Sequence, residues 1–191
     1  ESTKGRYRRA VPPTALIMGT PTVGCWQLPG LLSRCGFDTD LISMPSRFFR
    51  TGRYLRHRVI VPTPREVLKA SVNCATACEY DWVIVSKDEL LAMVRSGPGL
   101  TDRDRMSVAP VVALEHLGHL ASKIELSRRL ALGGVPTPEF RVAQTPEESV
   151  EAAAELGFPV TIKDDMGNSG TGVRWASSPI DVKNATRELN G

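Results

Sequence analysis

The chain has 191 residues, of which 41% are hydrophobic and 24% are charged, and its formal net charge is +3. This length allows one large domain or two small ones, each with a hydrophobic core. No run approaches the ~18 apolar residues of a membrane-spanning helix, so no membrane partner is expected. The basic N-terminal segment has no apolar signal region behind it, and we predict a cytoplasmic protein.

The first half of the chain alternates apolar strands with helices. Strands are predicted at residues 14–19, 38–44, 58–62 and 81–86. A helix is expected between the first two strands, with a start that Pro29-Gly30 delays, and further helices should follow Thr63 and Lys87. Buried runs of Val, Ile and Leu that alternate with helices favour a parallel sheet with crossover connections.

The second half has a different pattern. Residues 97–110 are rich in glycine, proline and charge, and we predict that they join two domains. A long helical segment over about 111–132, broken near Gly118, should follow. The remaining order is strand 139–144, helix 145–157, strand 158–165, a glycine loop, strand 173–177 and helix 179–190. This order predicts an α+β lobe with an antiparallel hairpin around the loop.

Cysteine and histidine spacing does not indicate a metal site. Neither a CxxC nor an HExxH motif occurs, and the pair His116 and His119 is too weakly patterned to predict metal ligands. We therefore predict no metal ligands in this chain, and buried reduced thiols at all four cysteines, which are Cys25, Cys35, Cys74 and Cys78.

An arginine cluster lies between Leu41 and Arg65, a stretch without any acidic residue. Its members are Arg47, Arg50, Arg53, Arg56, Arg58 and Arg65. Such a cluster can hold an anionic substrate, with Arg47 and Arg53 as candidates, or nucleic acid, or it can be a solvated or partner-contacting face. No recognition helix or aromatic platform accompanies it, so nucleic-acid binding is not favoured.

The stretch FPVTIKDDMGNSGTGVRWA, residues 158–176, joins a lysine to a glycine loop. Side chains alternate along a strand, so Val160 and Ile162 should face a core while Thr161 and Lys163 face outward. Glycines allow backbone N–H groups to converge on an anion, and a nearby lysine suits a phosphate. The alternative is a surface hairpin with a solvated lysine. The Walker pattern is absent.

The wider pattern resembles the ATP-grasp superfamily. It comprises a lysine on a helix (Lys123), then "GVPTP", a strand, a helix, "GFPVTIK" and the glycine loop. The resemblance extends back to "YDWVIVSKDELL" at residues 80–91. It implies a Rossmann-like pre-ATP-grasp domain with a parallel sheet at 1–110. A linker helix and a smaller α+β first ATP-grasp lobe would occupy 111–191.

The resemblance also implies a binding site for ATP. In this superfamily the helix and strand lysines, here Lys123 and Lys163, contact ATP phosphates, and the glycine loop closes over them. The corresponding loop positions are Gly167, Asn168, Ser169, Gly170, Thr171 and Gly172. Two features depart from the family pattern. Asp164 stands where many members have proline, and the loop has fewer glycines than usual.

The family's second lobe, which would carry the Mg²⁺ ligands, has no counterpart before Gly191. We therefore expect an N-terminal fragment of an ATP-dependent ligase that is inactive alone, with no catalytic residue of its own. The intact enzyme would use ATP, Mg²⁺ and small carboxylate and amine substrates, through an acyl phosphate. We expect either self-association or a second chain that carries the missing lobe. Two alternatives stay open: a non-catalytic nucleotide-binding or assembly module, and nucleic-acid binding through the arginine cluster.

Overall fold

The computed structural model describes residues 11–20, 23–46, 52–166 and 170–190. The chain divides into two compact units, Glu1–Leu117 and Gly118–Gly191. Within the described ranges, no helix has both the length and the apolar character that crossing a membrane requires.

The first unit contains a four-stranded parallel sheet in the order β3-β2-β1-β4, as the alternating pattern predicts. Its strands are β1 (Thr14–Gly19), β2 (Asp38–Ser43), β3 (His57–Ile60) and β4 (Trp82–Val85). Residues 15–18 of the central strand β1 are fully buried. Ala15 and Ile17 pack with Cys25 and Leu32 on one face, while α2 (Pro64–Ala77) contacts the sheet through β1 and β2.

Helix α1 (Val23–Arg34) begins earlier than the sequence predicts. Pro29 lies inside it, although proline cannot donate to the carbonyl one turn before. The packing of Cys25, Leu28 and Leu32 against the sheet compensates for this missing hydrogen bond. Tertiary burial thus overrides a local helix-breaking signal.

The segment 97–110, which is predicted to join two domains, contains a helix. Helix α3 (Asp88–Ser96) is followed by α4 (Asp102–Val108), which packs against α2. The Thr101 hydroxyl accepts from the Asp104 N–H, and the Asp104 carboxylate accepts from the Thr101 N–H, so a capping box starts α4. This signal is present in the sequence, and the high content of glycine and proline obscures it.

The predicted helix over 111–132 is two shorter elements. A 3-10 helix spans Leu114–His119, and α5 spans Lys123–Leu132. Ala121 between them has a φ of 58°, which interrupts the helical path, and the Ser122 hydroxyl then caps α5 by accepting from the Glu125 N–H.

The second unit contains an antiparallel hairpin covered by two helices. Its elements are α6 (Pro146–Leu156), β5 (Val160–Lys163), β6 (Val173–Ala176) and α7 (Pro179–Asn190). The predicted strand at 139–144 is wrong, because these residues pair with no strand. Arg141 instead forms ion pairs with Glu139 and with Glu155 of α6. The α+β character of the unit and its hairpin agree with the prediction.

Candidate functional site

Lys163 lies on the open face of the β5–β6 hairpin. Val160 and Ile162 pack from the other face against a core of Ala153, Ala176 and Val182. Lys163 is paired with Val173 in the strand register, and it is exposed. Among the described residues, none forms a hydrogen bond or ion pair with its side chain. The Lys163 side chain is thus exposed on this face.

Trp175 lies on the same open face, and the sequence reasoning missed it. It is paired with Thr161, two residues before Lys163, and its side chain is 67% exposed. Ala176 is fully buried, and side chains alternate along the strand VRWA. The preceding residue, Trp175, therefore lies on the open face, and this alternation is visible in the sequence.

Main-chain hydrogen bonds close the base of the glycine loop. We call this base the neck; it consists of Asp164 and Asp165 on one side and Gly172 and Val173 on the other. The Asp164 N–H donates to the Gly172 carbonyl over 2.8 Å, and the Val173 N–H donates to the Gly170 carbonyl over 3.2 Å. Gly170 has a φ of 78°, and a Cβ there would meet no atom within 4 Å. Gly170 and Thr171 are exposed, whereas Gly172 is buried. The predicted site residues Gly167, Asn168 and Ser169 lie outside the described residues.

Lys123, the first residue of α5, reaches this neck. Its Nζ donates to the carbonyl oxygen of Asp164 over 2.8 Å and to that of Asp165 over 2.9 Å. The structure therefore brings Lys123 to the segment that directly follows Lys163, although about 40 residues separate the lysines in sequence. That the two lysines share one phosphate site stays a prediction.

The two acidic residues of the neck differ in their surroundings. The Asp165 carboxylate accepts from the Ser122 hydroxyl and from the Ile124 N–H, so it is directed to the start of α5. Asp164 is exposed, and its carboxylate accepts from the Met166 N–H over 3.2 Å. The sequence does indicate where α5 begins, through the capping pair Ser122 and Glu125. This start of the helix is the part of α5 to which Asp165 is bonded.

The arginine cluster of the first unit is partly used by the fold. The Arg56 guanidinium donates two hydrogen bonds to Asp40, at 3.1 and 2.7 Å. Arg53 donates to the Tyr54 hydroxyl, and its guanidinium carbon lies 4.5 Å from the centre of the Tyr54 ring. The candidate residue Arg47, with Arg50, lies outside the described residues. Arg56 therefore acts as a structural residue rather than as part of an open basic patch.

Asp40 is the centre of this structural network. It is 4% exposed, and the Tyr80 hydroxyl also donates to it over 2.7 Å. Burial by itself raises the pKa of Asp40, but the hydrogen bonds from Arg56 and Tyr80 outweigh this effect and hold the pKa below its ordinary value. Burial and the bond to the Asp40 carboxylate raise the pKa of Tyr80.

The cysteines only partly match the prediction. All four are free thiols, but Cys35 and Cys78 are exposed, Cys74 is half-buried and only Cys25 is fully buried. Burial raises the pKa of the Cys25 thiol. In the described part of the chain, no three His, Cys, Asp or Glu side chains are grouped as metal ligands would be.

Comparisons with known proteins show a match over the segment that carries these residues. Residues 123–189, which include Lys123, Lys163 and the loop, match the model of the carbamoyl-phosphate synthase L chain, ATP binding domain. The chain belongs to the ATP-grasp superfamily, as its sequence predicts.

Three similar proteins illustrate the relationship. A formate-dependent phosphoribosylglycinamide formyltransferase of Burkholderia pseudomallei is 30% identical over 140 residues, which are 71% of this chain and 33% of that protein. The ADP complex of an N5-carboxyaminoimidazole ribonucleotide synthetase has a TM-score of 0.60 at 18% identity, over 93% of this chain and 44% of that one. The biotin carboxylase domain of Hydrogenobacter thermophilus 2-oxoglutarate carboxylase has a TM-score of 0.64 at 14% identity, over 95% and 41%.

The similarity covers only part of each relative. The chain spans between 19% and 33% of the length of the first curated relatives that it matches. The structural likeness, at less than 20% identity, shows a shared α/β fold with a parallel sheet.

Proposed function

We propose that this chain is the N-terminal, nucleotide-binding part of an ATP-dependent ligase that joins a carboxylate to an amine. The observation that carries the proposal is the local arrangement around the loop. An exposed lysine without a protein partner among the described residues, Lys163, precedes a closed-neck glycine loop to which a second lysine, Lys123, is bound. This arrangement lies inside the region that matches an ATP binding domain.

The chemistry of a polyphosphate fits these residues. The Lys163 ammonium would bind phosphate oxygens directly, and the N–H groups of the loop around Gly170 and Gly172 would donate to them. The Thr171 hydroxyl would add a further donor. Lys123 would contribute positive charge at the loop neck. None of these groups acts as a nucleophile, so their role is positioning and charge stabilisation.

The proposed reaction has two steps. A carboxylate oxygen attacks the γ-phosphorus of ATP, giving an acyl phosphate and ADP. The amine nitrogen then attacks the acyl carbon, the C–O bond to phosphate breaks, inorganic phosphate leaves and the nitrogen loses a proton. Mg²⁺ would offset the charge on the phosphate oxygens. Since no ligand cluster occurs in the described ranges, we place its ligands in a second lobe, supplied by a longer form of the protein or by another chain.

Other features of the proposal stay predictions: location in the cytoplasm, self-association, and anionic substrate binding at Arg47 and Arg53. A non-catalytic nucleotide-binding or assembly module would use the same lysines without turnover. Nucleic-acid binding is less favoured, because the Arg56 guanidinium is bonded to Asp40.

The test is a calorimetric titration of ATP into the full-length protein and two variants. Lys163→Ala should weaken ATP binding about tenfold or more, because it removes a charge-assisted contact of about 1.5–3 kcal/mol. Lys183→Ala is the matched control, since it removes the same charge from α7, on the covered side of the hairpin. A folded Lys163→Ala protein that binds ATP as the wild type does would refute the site.

Turnover separates the two classes of function. The ligase proposal expects release of ADP and phosphate when carboxylates and amines are supplied with ATP and Mg²⁺. A full-length protein that binds ATP tightly but releases no ADP with any carboxylate–amine pair would favour the assembly module.

A further inference from the structure

The Asp165 carboxylate is bonded to the start of helix α5. Its two oxygens each lie 3.0 Å from the Ser122 hydroxyl, which donates to them, and Oδ1 accepts from the Ile124 N–H over 2.9 Å. Ser122 is buried and Asp165 is half-buried, so these bonds are partly shielded from water. The carboxylate thereby satisfies an N–H of the first helical turn and lies at the positive end of the helix.

Lys123 makes the reciprocal contact from helix to loop. Its ammonium bonds the carbonyl oxygens of both Asp164 and Asp165. Asp164 and Asp165, which enter the loop, are thus held to α5 in two ways. Lys123 bonds their main-chain carbonyls, and the side chain of Asp165 bonds the start of the helix. We call this set of contacts the α5 clamp.

The clamp acts on a neck that is already closed on its other side. The Asp164 N–H donates to the Gly172 carbonyl, which fixes the neck to the hairpin. A neck held on both sides has fewer orientations to lose when the N–H groups next to it, at Gly170 and Gly172, converge on a ligand. Lys163 directly precedes this neck, so the clamp also fixes the position of the two residues that follow that lysine.

We propose that Asp165 is a positioning residue for the phosphate site. It holds the entrance of the glycine loop against α5 and touches no part of the nucleotide. This inference rests on the proposed function, since the ligand concerned is the triphosphate of ATP. It assigns a role to an acidic residue that charge alone would make unfavourable beside phosphates.

Positioning and charge repulsion predict opposite results. If Asp165 only repels the phosphates, its removal strengthens ATP binding. If Asp165 holds the loop, Asp165→Ala weakens ATP binding, and we expect about tenfold, the effect of losing charge-assisted contacts. AMP lacks the β- and γ-phosphates that Lys163 would bind, so its affinity should change by less than about twofold.

The experiment measures ATP and AMP affinities, with melting curves, for the full-length protein and three variants. Asp165→Asn keeps an acceptor for the Ile124 N–H and should bind ATP within about threefold of the wild type. Glu151→Ala removes the same charge from an exposed position on α6, outside the clamp, and it should bind ATP as the wild type does.

Each outcome decides the question. Tighter ATP binding by Asp165→Ala, or by Asp165→Asn if the alanine variant does not fold, overturns the inference in favour of repulsion. Equal losses for ATP and AMP overturn it in favour of a general structural role. If the wild type binds no ATP, the proposed function itself fails. If the wild type binds ATP and Asp165→Ala binds it equally well, the proposed function stands and the positioning role of Asp165 is overturned.

Discussion

Replacement of Asp40 by asparagine should destabilise the first unit strongly. The carboxylate is 4% exposed and accepts two hydrogen bonds from Arg56, one from the His57 N–H and one from the Tyr80 hydroxyl. Breaking a buried ion pair from one side costs about 3–5 kcal/mol. The Arg56 side chain is 39% exposed and regains some hydration, so we expect a loss of about 3 kcal/mol at neutral pH.

Urea unfolding of the wild type and variant, monitored by circular dichroism, measures this difference. Asp38→Asn is the matched control, because Asp38 lies two residues earlier on β2 and is exposed. The control should stay within about 0.5 kcal/mol of the wild type. A loss below about 1 kcal/mol for Asp40→Asn would contradict the assigned role of the network.

The pH dependence has a definite sign. The folded-state pKa of Asp40 is below its ordinary value of 3.8, so the carboxylate stabilises the fold above that value. This contribution is lost as the pH falls through the lower, folded-state pKa. The free-energy gap between the wild type and Asp40→Asn should therefore not narrow between neutral pH and about pH 5, and it should narrow only below about pH 4. A gap that narrows near neutral pH would point to another group.

Two further substitutions test the second unit. Gly170→Val should lower ATP-dependent ADP release by the full-length protein and cost about 1–2 kcal/mol of stability, because a β-branched residue is strained at a φ of 78°; unchanged turnover would contradict this. Val160→Asp should unfold this unit by placing an unpaired charge against the core of Ala153 and Val182, at a cost of several kcal/mol. Hydrogen exchange would show it as lost protection over 146–190, while Thr161→Asp on the open face should retain protection.

The sequence by itself determined the features that depend on neighbouring residues. The buried run at 14–19 predicts the central strand, and the alternation from Val160 to Lys163 predicts which side chains face the core. Hydroxyl–proline starts such as Thr63-Pro64 predict helix boundaries, because the cap and its N–H partner lie within one turn. These signals act over two to four residues and are therefore visible in the chain itself.

Only the tertiary structure decided the features that depend on distant partners. Residues 139–144 have the composition of a strand but find no ladder partner, and α1 tolerates Pro29 because its apolar side chains are buried. The role of Asp165 depends on Ser122, which is 43 residues away. Whether that carboxylate repels phosphates or caps a helix is set by packing between elements, because a hydrogen bond of about 3 Å exists only once both have been brought together.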